Sequence, residues 1–223
     1  MPREHLVITL DGPSGAGKST VAKALGRGLG ISYLDTGAMY RALTLKALRL
    51  KMDLSNEEAL SALAGNTKIT FKEMPDGSLN VTLDGEDVAA AIRAPEVTNN
   101  TYYAARTSGV RALMVAWQRA IGQDRSIVTD GRDQGTVVFT DARYKFYLDA
   151  DLEERVRRRY KELIAAGKSV DLDQLRADMQ ERDQKDFTRA VGPLKKAPDA
   201  ITVDSTGLTV EETVDKIMKL IHL

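Results

Sequence analysis

LVITLDGPSGAGKST, Leu6 to Thr20, is the stretch on which the reading of this chain turns. Its first part, Leu6-Val7-Ile8-Thr9-Leu10, is a short apolar run of buried-strand type. Gly12 is followed by four residues, then Gly17, Lys18 and Ser19, which is the full P-loop spacing. Val21 to Leu29 then carries apolar residues at helical spacing. Strand, loop and helix in that order are the context the spacing requires. Gly12, Gly15 and Gly17 lack a Cβ, so the backbone through Pro13, Ser14 and Ala16 can curl and aim its N–H groups inward. The helix that opens with Ser19 and Thr20 adds partial positive charge at its N-terminus. Lys18 can reach the outer phosphates of a nucleotide, and the Ser19 hydroxyl can bind Mg²⁺. The loop from Gly12 to Thr20 therefore predicts a nucleoside triphosphate held with magnesium. By itself it does not separate a kinase from an ATPase or a GTPase.

Composition narrows the choice. The chain has 223 residues, enough for a sizeable core in one large domain or one domain with an insert. Lys plus Arg and Asp plus Glu both number 32, so no global field draws the chain to nucleic acid or a membrane surface. There is no cysteine, which removes disulfides, thiolate nucleophiles and cysteine metal sites. His5 and His222 are the only histidines and stand near the ends, which argues against histidine catalysis. Nothing in the sequence resembles a signal peptide and no apolar run approaches membrane-spanning length, so a soluble cytoplasmic protein is expected.

Outward from the loop, strands and helices alternate. Thr36–Lys51 reads as a helix with Met39, Leu43, Ala47 and Leu50 on one side, and Ser55-Asn56-Glu57-Glu58, with Ser55 as cap, is a capping-box opening for a short helix to about Ala64. Ile69 and Phe71, then Leu79, Val81 and Leu83, alternate with polar residues around turns at Pro75-Asp76-Gly77-Ser78 and Asp84-Gly85. That is a small antiparallel meander, either a ligand-covering insert or an edge module. A helix carrying Val110, Leu113, Trp117 and Ile121 follows, with Trp117 placed in the core by that spacing. Strands are predicted at Ser126–Asp130, Lys145–Leu148 and Ile201–Val203. Helices are predicted from Asp151 to Ala166 and from Asp171 to about Asp186, and Thr209-Val210-Glu211-Glu212 opens a closing helix with Val214, Ile217 and Ile221 inward. This alternation implies a parallel sheet covered on both faces, with ligands at the carboxyl ends of its strands.

Arginines gather where such ligands would sit. Asp35-Thr36-Gly37-Ala38-Met39-Tyr40-Arg41 follows one strand, with Thr36 placed to cap the next helix. Asp130-Gly131-Arg132-Asp133 follows another, and Arg182, Asp186 and Arg189 share a helix face if that helix continues far enough. Arg155, Arg158 and Arg159 form a further basic face that reads, on its residues alone, as solvated surface. An alcohol acceptor would need a carboxylate base, for which Asp35 is the candidate. A phosphate acceptor is already anionic and needs none. The obstacle is then repulsion between two polyanions, which planar, permanently charged guanidinium groups relieve. The many arginines and the lack of a histidine base favour the phosphate acceptor.

At these residues the chain resembles the bacterial cytidylate kinases. The match is carried by ITLDGPSGAGKST (Ile8–Thr20), YLDTGAMYRA (Tyr33–Ala42), LDGEDV (Leu83–Val88), DGRDQGTVVF (Asp130–Phe139), ERDQKDFTRAVGPL (Glu181–Leu194) and DSTGL (Asp204–Leu208). The resemblance implies an α/β P-loop kinase fold: a five-stranded parallel sheet flanked by helices, with a small antiparallel β insert and a short helical lid. It implies a single domain over 1–223, with a core of 1–35, 107–150 and 190–223, a monophosphate-binding region over 36–106 and a lid region over 151–189. The implied reaction is ATP- and Mg²⁺-dependent phosphorylation of CMP and dCMP to CDP and dCDP by a cytoplasmic monomer that binds no nucleic acid or membrane. Carried over by position, Arg41, Arg132 and Arg189 hold the acceptor phosphate, with Thr36 in the same site. Arg182 and Asp186 reach the ribose, while Asp130, Arg111 and Thr101 read the cytosine edge. Lys18 and one of Arg157, Arg158 or Arg159, with Arg158 preferred, act on the transferring group. Asp133 orients either Arg132 or a magnesium-bound water.

Overall fold

The structure is a computed structural model that describes residues 5–74 and 79–222. The turn expected at Pro75-Asp76-Gly77-Ser78 lies outside the described residues. In chain order the strands are β1 (Val7–Asp11), β2 (Ser32–Asp35), β3 (Ile69–Glu73), β4 (Leu79–Leu83), β5 (Glu86–Asp87), β6 (Ile127–Gly131), β7 (Tyr144–Asp149) and β8 (Ile201–Asp204). The helices are α1 (Lys18–Leu29), α2 (Thr36–Arg49), α3 (Glu57–Gly65), α4 (Pro95–Arg106), α5 (Ser108–Asp124), α6 (Leu152–Ala165), α7 (Leu172–Thr188) and α8 (Val210–Met218). A five-stranded sheet, flanked by helices, runs in the order β2-β6-β1-β7-β8, and β3-β4-β5 form a separate three-stranded sheet. The ladders of the larger sheet are parallel and those of the smaller are antiparallel, as the alternation pattern and the mid-chain meander predict. All five residues of β1 are buried, which is why it reads as an unbroken apolar run rather than as alternation.

The chain divides into two compact units. The first holds Gly26–Asp130 with the N-terminal stretch to Val7. Here β2 pairs with β6 so that Asp35 stands opposite Asp130 at the strand ends. Two cores grip α2 from opposite sides. Met39, Leu43 and Ala47 pack with Leu60, Ala64, Val110 and Met114, and Trp117 lies part-buried against them. Ala38, Ala42 and Leu45 pack with Val81, Leu83, Val88, Ile92 and Val97, the two alanines allowing close packing against β4.

Three details of this unit differ from the sequence expectation. Leu50 is not on the buried side: α2 stops at Arg49, and Leu50 is 57% exposed. Its N–H turns back onto the carbonyls of Lys46 and Leu48, and Lys51 follows with φ 52°. Asn56, rather than Ser55, caps α3 by accepting from the Ala59 N–H at 2.9 Å. Helix α4 has no counterpart in the sequence reading. Only Val97 and Ala104 of it are buried, too few to print a helical period, although Pro95 sits in its first turn where proline is favoured.

The second unit comprises Ile8–Leu25 and Gly131–Leu223. Its strands β1, β7 and β8 align Asp11 with Tyr147 and Asp149 with Asp204. Helices α6 and α7 form a hairpin around Val156, Leu175 and Met179. Helix α8 opens where expected, with a capping box in which Thr209 and Glu212 each bond the other's backbone N–H, but it ends at Met218, short of Ile221.

Candidate active site

The P-loop belongs to the second unit and is shaped by what surrounds it. Gly12 has φ 150°, and a Cβ there would lie 2.0 Å from the Leu148 carbonyl oxygen, so no other residue fits. At Gly15, φ is 78° and a Cβ would meet the Met179 Cε at 2.7 Å. Lys18 is buried and its Nζ donates to the Pro13 carbonyl at 2.6 Å, which folds the ammonium back over the loop. Ser14 is held on both sides of its backbone. Its N–H donates to Asp183 Oδ1 at 3.1 Å, and its carbonyl accepts from Arg155 Nη1 at 2.9 Å. Arg155 and Asp183 are themselves paired at 2.5 Å, and both are buried. Removing either would strand the other charge away from water, so the two stand or fall together.

Among the three lid arginines, Arg158 is the one set against the loop. Its Nη1 lies 3.5 Å from the Ala16 carbonyl, and its Nη2 donates to the Ser205 carbonyl at 2.6 Å. Arg157 pairs with Glu154 and Arg159 with Glu162, both as largely exposed guanidinium groups.

A second cluster in the same unit gathers Arg132, Asp133, Asp186 and Arg189. Helix α7 reaches Thr188, far enough to bring Arg182 and Asp186 onto one stretch, and Arg189 caps it. Arg132 Nε donates to Asp186 Oδ2 at 2.6 Å. Arg189 places Nη1 3.9 Å from Asp186 Oδ1 and Nη2 3.7 Å from Asp133 Oδ1. Burial works against the Asp186 charge, but Arg132, joined by Arg182 and Arg189, more than offsets it and holds the carboxyl below its usual range.

Asp11 behaves in the opposite way. Burial pushes its pKa up to about 6, against the two N–H groups of Gly135 and Gln134 that favour the charge; Asp133 adds to the rise and Lys18 opposes it. The folded value lies above the unfolded one of 3.8, so folding takes up a proton between these values. The stability Asp11 contributes therefore falls as pH rises from about 4 to about 6, by about 3 kcal/mol in all. Asp11→Asn abolishes this titration. In urea melts its stability relative to wild type should improve by up to about 3 kcal/mol between pH 4 and pH 7. A difference that does not change with pH would contradict the raised pKa.

The remaining sequence candidates lie in the first unit. The cap of α2 is Asp35 rather than Thr36: Asp35 Oδ1 accepts from the Ala38 N–H at 2.9 Å, and the Thr36 hydroxyl instead donates to the Asp130 carbonyl at 2.7 Å. A carboxylate reaches the N–H two residues into the helix, while Thr36 is already helical and pointed at β6. Asp35 also binds Arg41 Nη2 at 2.8 Å. Arg41 Nε is buried with no hydrogen-bond partner, a donor that an anion would satisfy. The Asp130 carboxylate is buried and accepts from the Tyr33 hydroxyl at 2.8 Å. Arg111 is buried, with Nη1 3.4 Å from the Tyr40 hydroxyl. The Thr101 hydroxyl donates to the Val97 carbonyl in its own helix at 2.7 Å.

Asp11, Tyr33 and Asp183 were not singled out by sequence reasoning, and Arg155, read there as solvated surface, is instead buried against the P-loop. The only signals for them were a carboxylate at the end of β1 and an acidic residue next to Arg182.

The donor set suits a hard cation held chiefly by a nucleotide. Among the described residues no group of three or more His, Cys, Asp or Glu could hold a metal by itself. Ser19, exposed in the first turn of α1, offers one oxygen, which matches Mg²⁺ and its preference for water and phosphate ligands.

Comparison with known proteins gives concordant results. The family model described as cytidylate kinase matches residues 8–223. The cytidylate kinase of Desulforamulus reducens is 50% identical over 215 residues, covering 96% of each chain. That of Geobacillus sp. strain WCH70 is 48% identical over 220 residues, covering 99% of this chain and 98% of its own. An uncharacterized protein of solved structure from Eubacterium ventriosum aligns over 98% of both chains with a TM-score of 0.55 and 14% identity, a likeness of fold.

Proposed function

The chain belongs to the cytidylate kinase family, and on that premise we propose that it transfers the γ-phosphoryl group of ATP to CMP and dCMP, yielding ADP with CDP or dCDP. The observation that carries this reading at the residue level is the charge arrangement of the second unit. Two guanidinium groups, Arg132 and Arg189, converge on Asp186 in the unit that also holds the P-loop.

The acceptor oxygen of a monophosphate is already negative, so the task is to bring two polyanions into line rather than to remove a proton. Arg132 and Arg189 take the acceptor phosphate in this scheme. Asp186, by gripping Arg132 at Nε, fixes the plane in which that fork presents its donors. Arg41 is assigned to the same phosphate, its unpartnered Nε being the donor that would bind it. Lys18 and the loop N–H groups hold the β- and γ-phosphates of ATP. Arg158, already against the loop, is the lid arginine assigned to the transferring group, and closure of α6 and α7 limits hydrolysis by excluding water. Bound Mg²⁺, with Ser19 as its protein ligand, supplies charge neutralisation at the phosphate oxygens.

Asp130 selects the base. The cytosine amino group donates a hydrogen bond that uracil cannot offer, and a buried carboxylate left facing uracil is penalised. Arg111 and Thr101 complete the base site and Thr36 the phosphate site, while Arg182 and Asp186 serve the ribose. The enzyme is proposed to work as a cytoplasmic monomer; no helix among the described residues is long and apolar enough to cross a membrane. An acceptor panel of CMP, dCMP, UMP and AMP, read by ADP release, tests the assignment. CMP and dCMP should dominate. Strong turnover of UMP, AMP or a metabolite alcohol without turnover of CMP would overturn it.

A further inference from the structure

The carboxylate of Asp11 has no role in the scheme above, yet it is only 3% exposed. It ends β1, stands opposite Tyr147 in the β7 ladder, and is joined directly to Gly12. Each of its oxygens accepts one backbone N–H: Oδ1 from Gln134 at 2.8 Å and Oδ2 from Gly135 at 2.8 Å. These groups open the single π-helical turn Gln134–Val138, which starts straight after Arg132-Asp133. Asp133 occupies the cap position of that turn but makes no side-chain cap bond. The capping is done by a carboxylate 123 residues upstream.

We propose that Asp11 is a positioning residue for phosphoryl transfer, tying the loop that carries Arg132 and Asp133 to the first glycine of the P-loop so that acceptor-binding and donor-binding groups keep one fixed spacing. This rests on the kinase reading above. A single hydrogen bond would fix a distance. Two parallel bonds to successive N–H groups also fix the orientation of the intervening peptide, and with it the direction in which Asp133 and Arg132 leave the loop. On its other side Asp11 is anchored by the β1–β7 ladder and by Gly12, where not even a methyl group has room. In-line transfer is sensitive to such spacing: misplacement by about 1 Å costs on the order of 100-fold.

Both oxygens can accept only while the group is ionised. A proton on either turns that oxygen into a donor facing an N–H, and one tie is lost. The charged and titratable groups facing Asp11 are Lys18, which favours ionisation, Asp133, which opposes it, and the Tyr147 phenol. With burial these bring the carboxyl into titration range near pH 6.

The test is the pH dependence of the ratio of kcat in wild type to kcat in Asp11→Asn, in which substrate ionisation cancels. At pH 7.5 the variant should be at least about tenfold slower with CMP, with KM for ATP changed less than about threefold. The ratio should fall toward one as pH drops to 5, because wild-type Asp11 is then losing the same tie. A kcat within twofold of wild type at pH 7.5, or a ratio that stays flat with pH, would overturn the proposal. A second measurement needs no variant. In the wild-type chain the amide signals of Gln134 and Gly135 should titrate together with the Asp11 carboxyl carbon, and amides that do not follow it would count equally against the proposal. Failure of the kinase reading would look different, as an absence of CMP turnover in the wild type itself.

Discussion

Arg132→Ala is expected to lower kcat for CMP phosphorylation by about 10²–10³-fold, the loss of about 3–4 kcal/mol typical of deleting one preorganised donor from a charge-stabilising site. Arg132 is held at Nε by Asp186 at 2.6 Å, and Asp186 is held below its usual range by Arg132 together with Arg182 and Arg189. The substitution thus removes a fork that another side chain has already aimed, so little of the loss is recoverable by rearrangement. It also leaves Asp186 with Arg182 and Arg189, the latter at 3.9 Å, to offset its burial, which should weaken ATP-independent binding of CMP. Arg132→Lys keeps the charge but not the planar, bidentate geometry, and should recover less than about a tenth of wild-type kcat. Steady-state kinetics on variants whose melting temperature stays within a few degrees of wild type decide the matter. A kcat for Arg132→Ala within about fivefold of wild type would remove Arg132 from the phosphate site.

Asp130→Ala should reduce kcat/KM for CMP by about 100-fold and for UMP by less than about tenfold, narrowing the preference between the bases. A hydrogen bond to a charged group contributes about 1.5–3 kcal/mol, and the variant forfeits it only with the base that can donate. Uracil loses nothing of that kind, and its clash with a buried carboxylate is relieved. Some general loss is expected with both substrates, because the Tyr33 hydroxyl loses the acceptor it now has at 2.8 Å. The quantity to measure is therefore the CMP-to-UMP ratio rather than either rate alone. Equal losses with the two substrates would exclude Asp130 from base reading.

Legibility of the site followed the range of the interactions involved. The P-loop could be read because its meaning lies in nine consecutive residues and their flanks. The placement of Asp130 and Arg132 at a strand's carboxyl end could be read because the strand itself is recognisable. By contrast, the pairing of Arg132 with Asp186 joins residues 54 apart, and Arg155 with Asp183 joins residues 28 apart. Neither pairing leaves a periodic trace. Arg155 looked like solvated surface because its neighbours Arg157 and Arg159 are just that, while its own guanidinium turns inward onto the Ser14 carbonyl and the Asp183 carboxylate.

On its own the amino-acid sequence determined the class of fold, the strand–loop–helix path through Gly12 to Thr20, the antiparallel insert and the start of the last helix. Each of these is written in spacing of 2, 3.6 or a few fixed residues, because each is stabilised by near neighbours along the chain. Tertiary structure alone decided that Asp35 rather than Thr36 caps α2, that Arg158 rather than Arg157 or Arg159 lies on the P-loop, and that Asp11 caps a turn far downstream. A buried polar group takes whichever partner the packing brings within about 3 Å, and that choice is made only after the chain has folded.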